Sequence, residues 1–281
     1  MKTLLYCTDG SKYSQVCAEY TAWWASRSKA SVHALYVTDL RFLEIPLISD
    51  LSGSIGVQPY QAVMGQLQNL EATKSEIVLK WAEDYFVNHQ PPIPVRTSHR
   101  SGLLVDCLKE EEEDADMVIL GKRGENANFA TEHLGSTLER VVRSSNRPCL
   151  VTSRKYRETR KAVLAYDGGK TAKRALQFWV ENAFLHDVEL HVVVVAENQQ
   201  EEVSLKYIRE AEAVLSDAKL KATMQMLHGR PDSAIAEYVD DQEMDLLLMG
   251  AFGQSRIREL FIGSTTTEMI RACRIPVLLF R

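Results

Sequence analysis

Short, almost uniformly apolar runs alternate along this chain with segments whose apolar residues recur every three or four positions. The runs read as strands with no wet face, and the periodic segments as amphipathic helices. The first run lies between Lys2 and Gly10 and ends in Asp9-Gly10; Val16, Cys17, Tyr20, Trp23 and Trp24 follow at helical spacing. Strands are then predicted at Val32–Val37 and near Val95, with a helix over Ile77–Phe86 and a turn at Gly102. A short helix, the run Met117-Val118-Ile119-Leu120, a last helix and a strand at Pro148–Thr152 complete the set.

The set then repeats. Arg160 to Gly168 matches Lys2 to Gly10 and again ends in Asp-Gly, followed by Ala172, Ala175, Leu176, Trp179, Val180 and Ala183 at helical spacing. Strands at Leu190–Val195, near Met224 and at Ile275–Phe280, a helix over Leu205–Leu215 and a turn at Gly229 fall in the same order. Alternating helices and fully apolar strands predict two doubly wound α/β domains with parallel sheets. Residues 1–155 and 156–281 form them, divided within the charged stretch Arg154–Arg160. A length of 281 residues suits two domains of ordinary size. The first domain also carries an insertion at about 39–73, where Phe42, Leu43, Ile45, Leu47, Ile48 and Leu51 mix with Pro46, Gly53, Gly56 and Pro59. It leaves the carboxyl end of a strand, where open α/β sheets bind ligands, and reads equally as a lid or an interface segment.

Each half contains one glycine-rich phrase after its fourth apolar run. In the first half Gly121-Lys122-Arg123-Gly124 precedes Gly135-Ser136-Thr137; in the second, Gly250-Ala251-Phe252-Gly253 precedes Gly263-Ser264-Thr265. A glycine removes the Cβ where the backbone turns tightly or approaches a ligand. A Gly-Ser-Thr step opening a helix offers N–H groups and hydroxyls to an anion. Net charge is −5, which gives no electrostatic case for nucleic acid or an anionic membrane. No apolar run approaches a membrane span, and Asp9 interrupts the N-terminal run before a signal sequence forms, so a cytoplasmic protein is expected. The five cysteines have neither metal-ligand spacing nor even number, and read as buried structural thiols.

These residues resemble the universal stress protein family in its tandem two-domain form, over essentially the whole chain. Nucleotide-binding members of that family carry Gly-x2-Gly-x9-Gly-Ser/Thr after the fourth strand and an Asp at the end of the first. The second half fits without a gap at Asp167, Gly250, Gly253, Gly263 and Ser264. The first half has Asp9, Gly121, Gly124, Gly135 and Ser136, with ten residues rather than nine between its last two glycines. The resemblance implies a five-stranded parallel sheet in each domain, of the adenine nucleotide alpha hydrolase-like type, with ATP (or ADP or AMP) across the carboxyl ends of the strands. On that analogy Asp167 contacts the ribose or adenine side, Val195 flanks the base, Met249 and Gly250 pass under the nucleotide, and Gly253, Gly263, Ser264 and Thr265 cradle the phosphates. The corresponding first-half set is Asp9, Val37, Leu120, Gly121, Gly124, Gly135, Ser136 and Thr137. Magnesium would arrive with ATP, held mainly by phosphate oxygens and water. The resemblance further implies that the two domains pair like a dimer within one chain through their last strands. An unpaired apolar edge strand invites such pairing. The apolar insertion makes a homodimer a reasonable expectation.

Each signal has a plainer reading beside it. Asp9 and Asp167 could cap the helices that follow, and the Gly-Ser-Thr steps could be helix starts alone. Lys122, Arg123, Arg256 and Arg258 could reach phosphate or be solvated, His133 is a weaker candidate, and the acidic run Glu110–Asp114 reads as a solvated helix end. The histidines show no metal-ligand spacing. Gly169-Lys170-Thr171 matches the tail of a P-loop, but Leu164 stands where its first glycine would be. Asp167-Gly168-Gly169 suggests the loop of ATP pyrophosphatases, but the leading serine and the later Asp-Ser are missing. No nucleophile–base or paired-carboxylate arrangement is visible, so the expectation is a nucleotide-binding stress or regulatory protein and not a dedicated enzyme, slow ATP hydrolysis aside. The alternative is an interaction module that binds no nucleotide.

Overall fold

The computed structural model describes residues 1–39, 57–122, 136–197, 201–251, 268–271 and 273–281. Its centre is one ten-stranded sheet in the order β3-β2-β1-β4-β5-β10-β9-β6-β7-β8. The first half supplies β1 (Thr3–Thr8), β2 (Ser31–Thr38), β3 (Val95–Ser101), β4 (Met117–Gly121) and β5 (Cys149–Thr152). The second supplies β6 (Lys161–Ala165), β7 (Glu189–Ala196), β8 (Thr223–His228), β9 (Leu246–Gly250) and β10 (Val277–Phe280). Within each half all neighbours are parallel; β5 and β10 meet antiparallel, with Leu278 opposite Leu150. The two expected five-stranded parallel sheets are thus joined edge to edge by their last strands.

Helices cover both faces. On one lie α1 (Lys12–Ser28), α2 (Val57–Val87), α5 (Lys170–Glu181) and α6 (Glu201–Asp217); on the other lie α3 (Leu104–Glu111), α4 (Ser136–Ser144) and α7 (Pro231–Asp241). Successive strand residues therefore feed opposite cores: Leu4 and Tyr6 one, Leu5 the other. Each core runs unbroken through both halves, with Leu150 and Leu278 fully buried at the junction. The outer strands are different. In β3 only Val95 and Ser98 are partly covered, and Arg96 and Arg100 stand on that edge, where charge discourages pairing with another sheet.

Side chains reinforce the junction. Trp24 on α1 packs 6.3 Å from Phe178 on α5 and 5.6 Å from Phe184, and Phe178 lies 5.1 Å from Phe280. Arg27 pairs with Asp187 and donates to Phe184 O. The charged connection has an anchor as well: the Tyr20 hydroxyl sits 2.8 Å from Ser153 Oγ, donates to Lys155 O and accepts from Arg157 N.

The repeat extends to hydrogen bonds that no motif announced. Asp116, just before β4, accepts from Lys2 N and Thr3 N; Asp245, just before β9, accepts from Arg160 N and Lys161 N. Although burial works against it, these N–H groups hold the Asp116 carboxyl below its ordinary range.

Two expectations change. Helix α2 starts at Val57, far before Ile77, so much of the insertion is helix; Pro59 falls in its first turn, where a missing N–H costs nothing. Residues 40–56, the most apolar part of the insertion, lie outside the described residues. The acidic run is a solvated end only at Glu110, Glu113 and Asp114, which are exposed. Glu112 is 3% exposed and accepts from Ser145 Oγ and Asn146 N, and Glu111 pairs with Arg100.

Candidate nucleotide site

In each half the chain leaves β1 or β6 in one direction and enters β4 or β9 from the other, so adjacent strands part at their carboxyl ends and leave a crevice. In the first half β1 and β4 flank it, paired at Leu4–Met117, Leu5–Val118 and Tyr6–Ile119. Continued by two residues, that register sets Thr8 beside Gly121 and brings Asp9-Gly10 to the mouth. In the second half β6 and β9 pair in the same way, and Tyr166-Asp167-Gly168 emerges next to Gly250-Ala251.

Both aspartates make the same local turn. Asp9 Oδ1 accepts from Ser11 N at 3.0 Å, and Asp167 Oδ1 accepts from Gly169 N at 2.8 Å. This is an Asx turn and not a helix cap. The N-cap of α1 is Ser11, whose hydroxyl accepts from Ser14 N, and the N-cap of α5 is Gly169. The capping alternative is therefore replaced: each carboxylate shapes the turn between strand and helix, and Asp167 is exposed.

The glycines have internal reasons that spacing alone did not show. Gly10 and Gly168 adopt φ of +76° and +70°. A Cβ on Gly10 would lie 2.5 Å from Val78 Cγ2, and one on Gly168 would enter the Tyr207 ring, 2.9 Å from its Cζ and closer to two other carbons. Gly250 lies against the first turn of α5, where an added Cβ would be 3.0 Å from Thr171 Cβ and nearer to its hydroxyl. At all three positions the groups that approach the backbone are the protein's own.

Around the crevices, Val37 and Val195 lie one residue before the ends of β2 and β7, partly covered; these strands neighbour β1 and β6. The side chains of Leu120 and Met249 are buried in the core, which leaves their backbone alone at the crevice. A tyrosine backs each site. Tyr166 donates to Glu210 Oε1 at 2.8 Å, and Lys173 Nζ lies 2.6 Å from the same oxygen. Lys173 and Tyr166 lower the Glu210 carboxyl, and burial followed by Glu210 raises the Tyr166 phenol. Tyr36 donates to Glu71 Oε2 at 3.1 Å; burial chiefly, against Lys74 and with Glu71, pushes its phenol up to about 12.

Lys122 does something other than either reading proposed. Its Nζ crosses the junction and donates to Arg271 O at 2.9 Å and Cys273 O at 3.1 Å, at the end of the helical stretch 268–271. Reciprocally, Arg281 Nη1 donates to Arg143 O at 2.6 Å, near the end of α4. Cations suit helix C-termini because the last carbonyls lack partners and carry the negative end of the dipole. Each half thus caps a helix of the other. Ser136 and Thr137 open α4, while Arg123, Gly124, His133, Gly135, Gly253, Arg256, Arg258, Gly263, Ser264 and Thr265 lie outside the described residues. Among the described residues no helix is long and apolar enough to cross a membrane.

Fold and crevice together define a class: a tandem, doubly wound α/β protein with a ligand-type crevice at the switch point of each half. The chain belongs to the universal stress protein family, whose model matches residues 1–153 and again 158–281. It is 40% identical over 287 aligned positions to universal stress protein Slr1230 of Synechocystis, spanning the whole of both chains. A universal stress protein of Thermus aquaticus matches 42% of this chain and 96% of its own length at 31% identity. A crystal structure of a universal stress protein from Archaeoglobus fulgidus superposes with a TM-score of 0.70 at 21% identity, covering 99% of this chain and 96% of that one, a likeness of fold.

Proposed function

We propose that this universal stress protein is a cytosolic regulator that binds ATP or a related adenine nucleotide, with little or no catalysis. The observation that carries this reading is the duplicated crevice: Asp9-Gly10 beside the end of β4, and Asp167-Gly168 beside the end of β9. The residues suit the ligand. Each Asx turn fixes its carboxylate at the mouth of the crevice, and a carboxylate is an acceptor of the kind ribose hydroxyls bond to. Val37 and Val195 offer apolar surface beside a base, and the Gly-Ser-Thr steps supply amides and hydroxyls of the type that bind phosphate. Magnesium, when bound with ATP, would shield the phosphate charge.

The packing reasons found for Gly10, Gly168 and Gly250 favour a second reading, in which part of the motif serves folding alone and the protein is an interaction module. Isothermal titration of nucleotide-stripped protein with ATP and magnesium separates the two. The first reading expects saturable binding that weakens about tenfold or more in Asp167→Ala, the scale of a lost hydrogen bond to a charged group. Absence of binding at several temperatures supports the second.

A further inference from the structure

A cleft lined by none of the crevice residues lies where α1 and the end of α2 meet the connection between the halves. It has a volume of about 330 Å³, is widely open to solvent, and is bordered by Trp23, Tyr85 and Tyr156, with Glu19, Glu158, Arg27 and His89 beside them. Three aromatic rings and two carboxylates converge from three separate segments. Neighbours hold the tyrosines in place: Tyr85 stacks on Trp81 at 5.3 Å and Tyr156 packs edge-on against Tyr20 at 5.0 Å.

The chemistry at this point already favours positive charge. The Arg27 guanidinium rests 4.8 Å from the Trp23 ring centre, a cation–π contact within the protein. Arg27, itself on the wall of the cleft, is also paired with Asp187 outside it. Glu19 has no ion pair among the described residues, whereas Glu158 accepts from Arg160. Burial first, then Glu19, raises the Tyr85 phenol; burial first, then Glu158, pushes Tyr156 up to about 12. The Trp23 indole N–H and the Ser26 hydroxyl, on residues that line the same cleft, are themselves buried and have no hydrogen-bond partner among the described residues.

We propose that this cleft binds a small organic ammonium ion of the quaternary class, between the aromatic rings and the Glu19 and Glu158 carboxylates. Electron-rich ring faces attract such ions, and a carboxylate supplies the countercharge without requiring a donor on the ligand. Because Tyr156 and Glu158 belong to the connection between the halves, a bound ion would tie that connection to α1 and α2. The site stands apart from the nucleotide crevices and does not depend on them.

The test is a tryptophan-fluorescence titration of the full chain with choline chloride at constant ionic strength. 3,3-Dimethylbutanol, the uncharged isostere of choline, is titrated in parallel. Saturable quenching by choline, with the isostere at least tenfold weaker, is expected. Glu19→Gln, at an exposed position, should reduce choline affinity about tenfold with an unchanged circular dichroism spectrum. Tyr156→Ala should also weaken binding, although it additionally removes packing on Tyr20. No saturable quenching, equal affinity for the isostere, unaltered binding in Glu19→Gln, or displacement of choline by ATP would each overturn the proposal.

Discussion

Replacing Gly168 with alanine imposes two separable costs. The residue sits at φ +70°, a conformation that costs an L side chain about 1–2 kcal/mol. The new methyl would also enter the Tyr207 ring on α6, 2.9 Å from Cζ, and overpacking of that kind costs about 1–3 kcal/mol. Together they amount to roughly 2–5 kcal/mol of lost stability. Urea unfolding followed by tryptophan fluorescence reads the loss, and Tyr207→Ala in the same background separates its parts. Removing the ring should recover the overpacking share, giving a double-mutant coupling of about 1–3 kcal/mol, and leave the backbone share in place. The reasoning fails if Gly168→Ala lies within about 0.5 kcal/mol of the wild type, as surface substitutions do. It fails equally if the coupling is zero.

Further predictions follow from the junction and the repeat. Leu278→Ala should lower stability by about 2–5 kcal/mol, because Leu278 is fully buried where the two sheets join; denaturant unfolding checks it. Lys122→Met should cost about 1 kcal/mol by removing both hydrogen bonds to the end of the 268–271 helix, read as a lower Tm. Asp116 has a depressed carboxyl, so its contribution is present above the ordinary aspartate range and lost as pH falls through the folded value. In a pH series, the stability gap between wild type and Asp116→Asn should therefore close on acidification.

Where the sequence was legible, the cause is local. Strands covered on both faces must be apolar throughout, so β1 with Leu4, Leu5 and Tyr6, and β9 with Leu246, Leu247 and Leu248, stand out as runs. The pairing of the last strands was implied by the family resemblance, and their apolar edges agree with it. Helix α2 was placed too late because Leu70 and Ile77 on it are 64% and 65% exposed, so its apolar residues do not trace one buried face. Glu112 and Lys122 were misread for a different reason: their partners, Ser145 and Asn146 in one case and Arg271 and Cys273 in the other, are distant in sequence. Nothing in a charged residue's own neighbourhood reveals a partner that only folding supplies. Asp116 and Asp245 were within reach, since both immediately precede the fourth strand of their half. The repeat singled out Asp9 and Asp167, and spacing the glycines, but the Asx turns and the packing of Gly168 and Gly250 appear only in the folded chain.

The central claim, a nucleotide across the carboxyl ends of the strands, is tested most directly by hydrogen–deuterium exchange with and without ATP and magnesium. The account predicts slower exchange in the segments that follow β1 and β6, Asp9–Ser11 and Asp167–Gly169, and at the ends of β4 and β9. Unchanged exchange at all four places under saturating nucleotide, or protection confined to other segments, would contradict it.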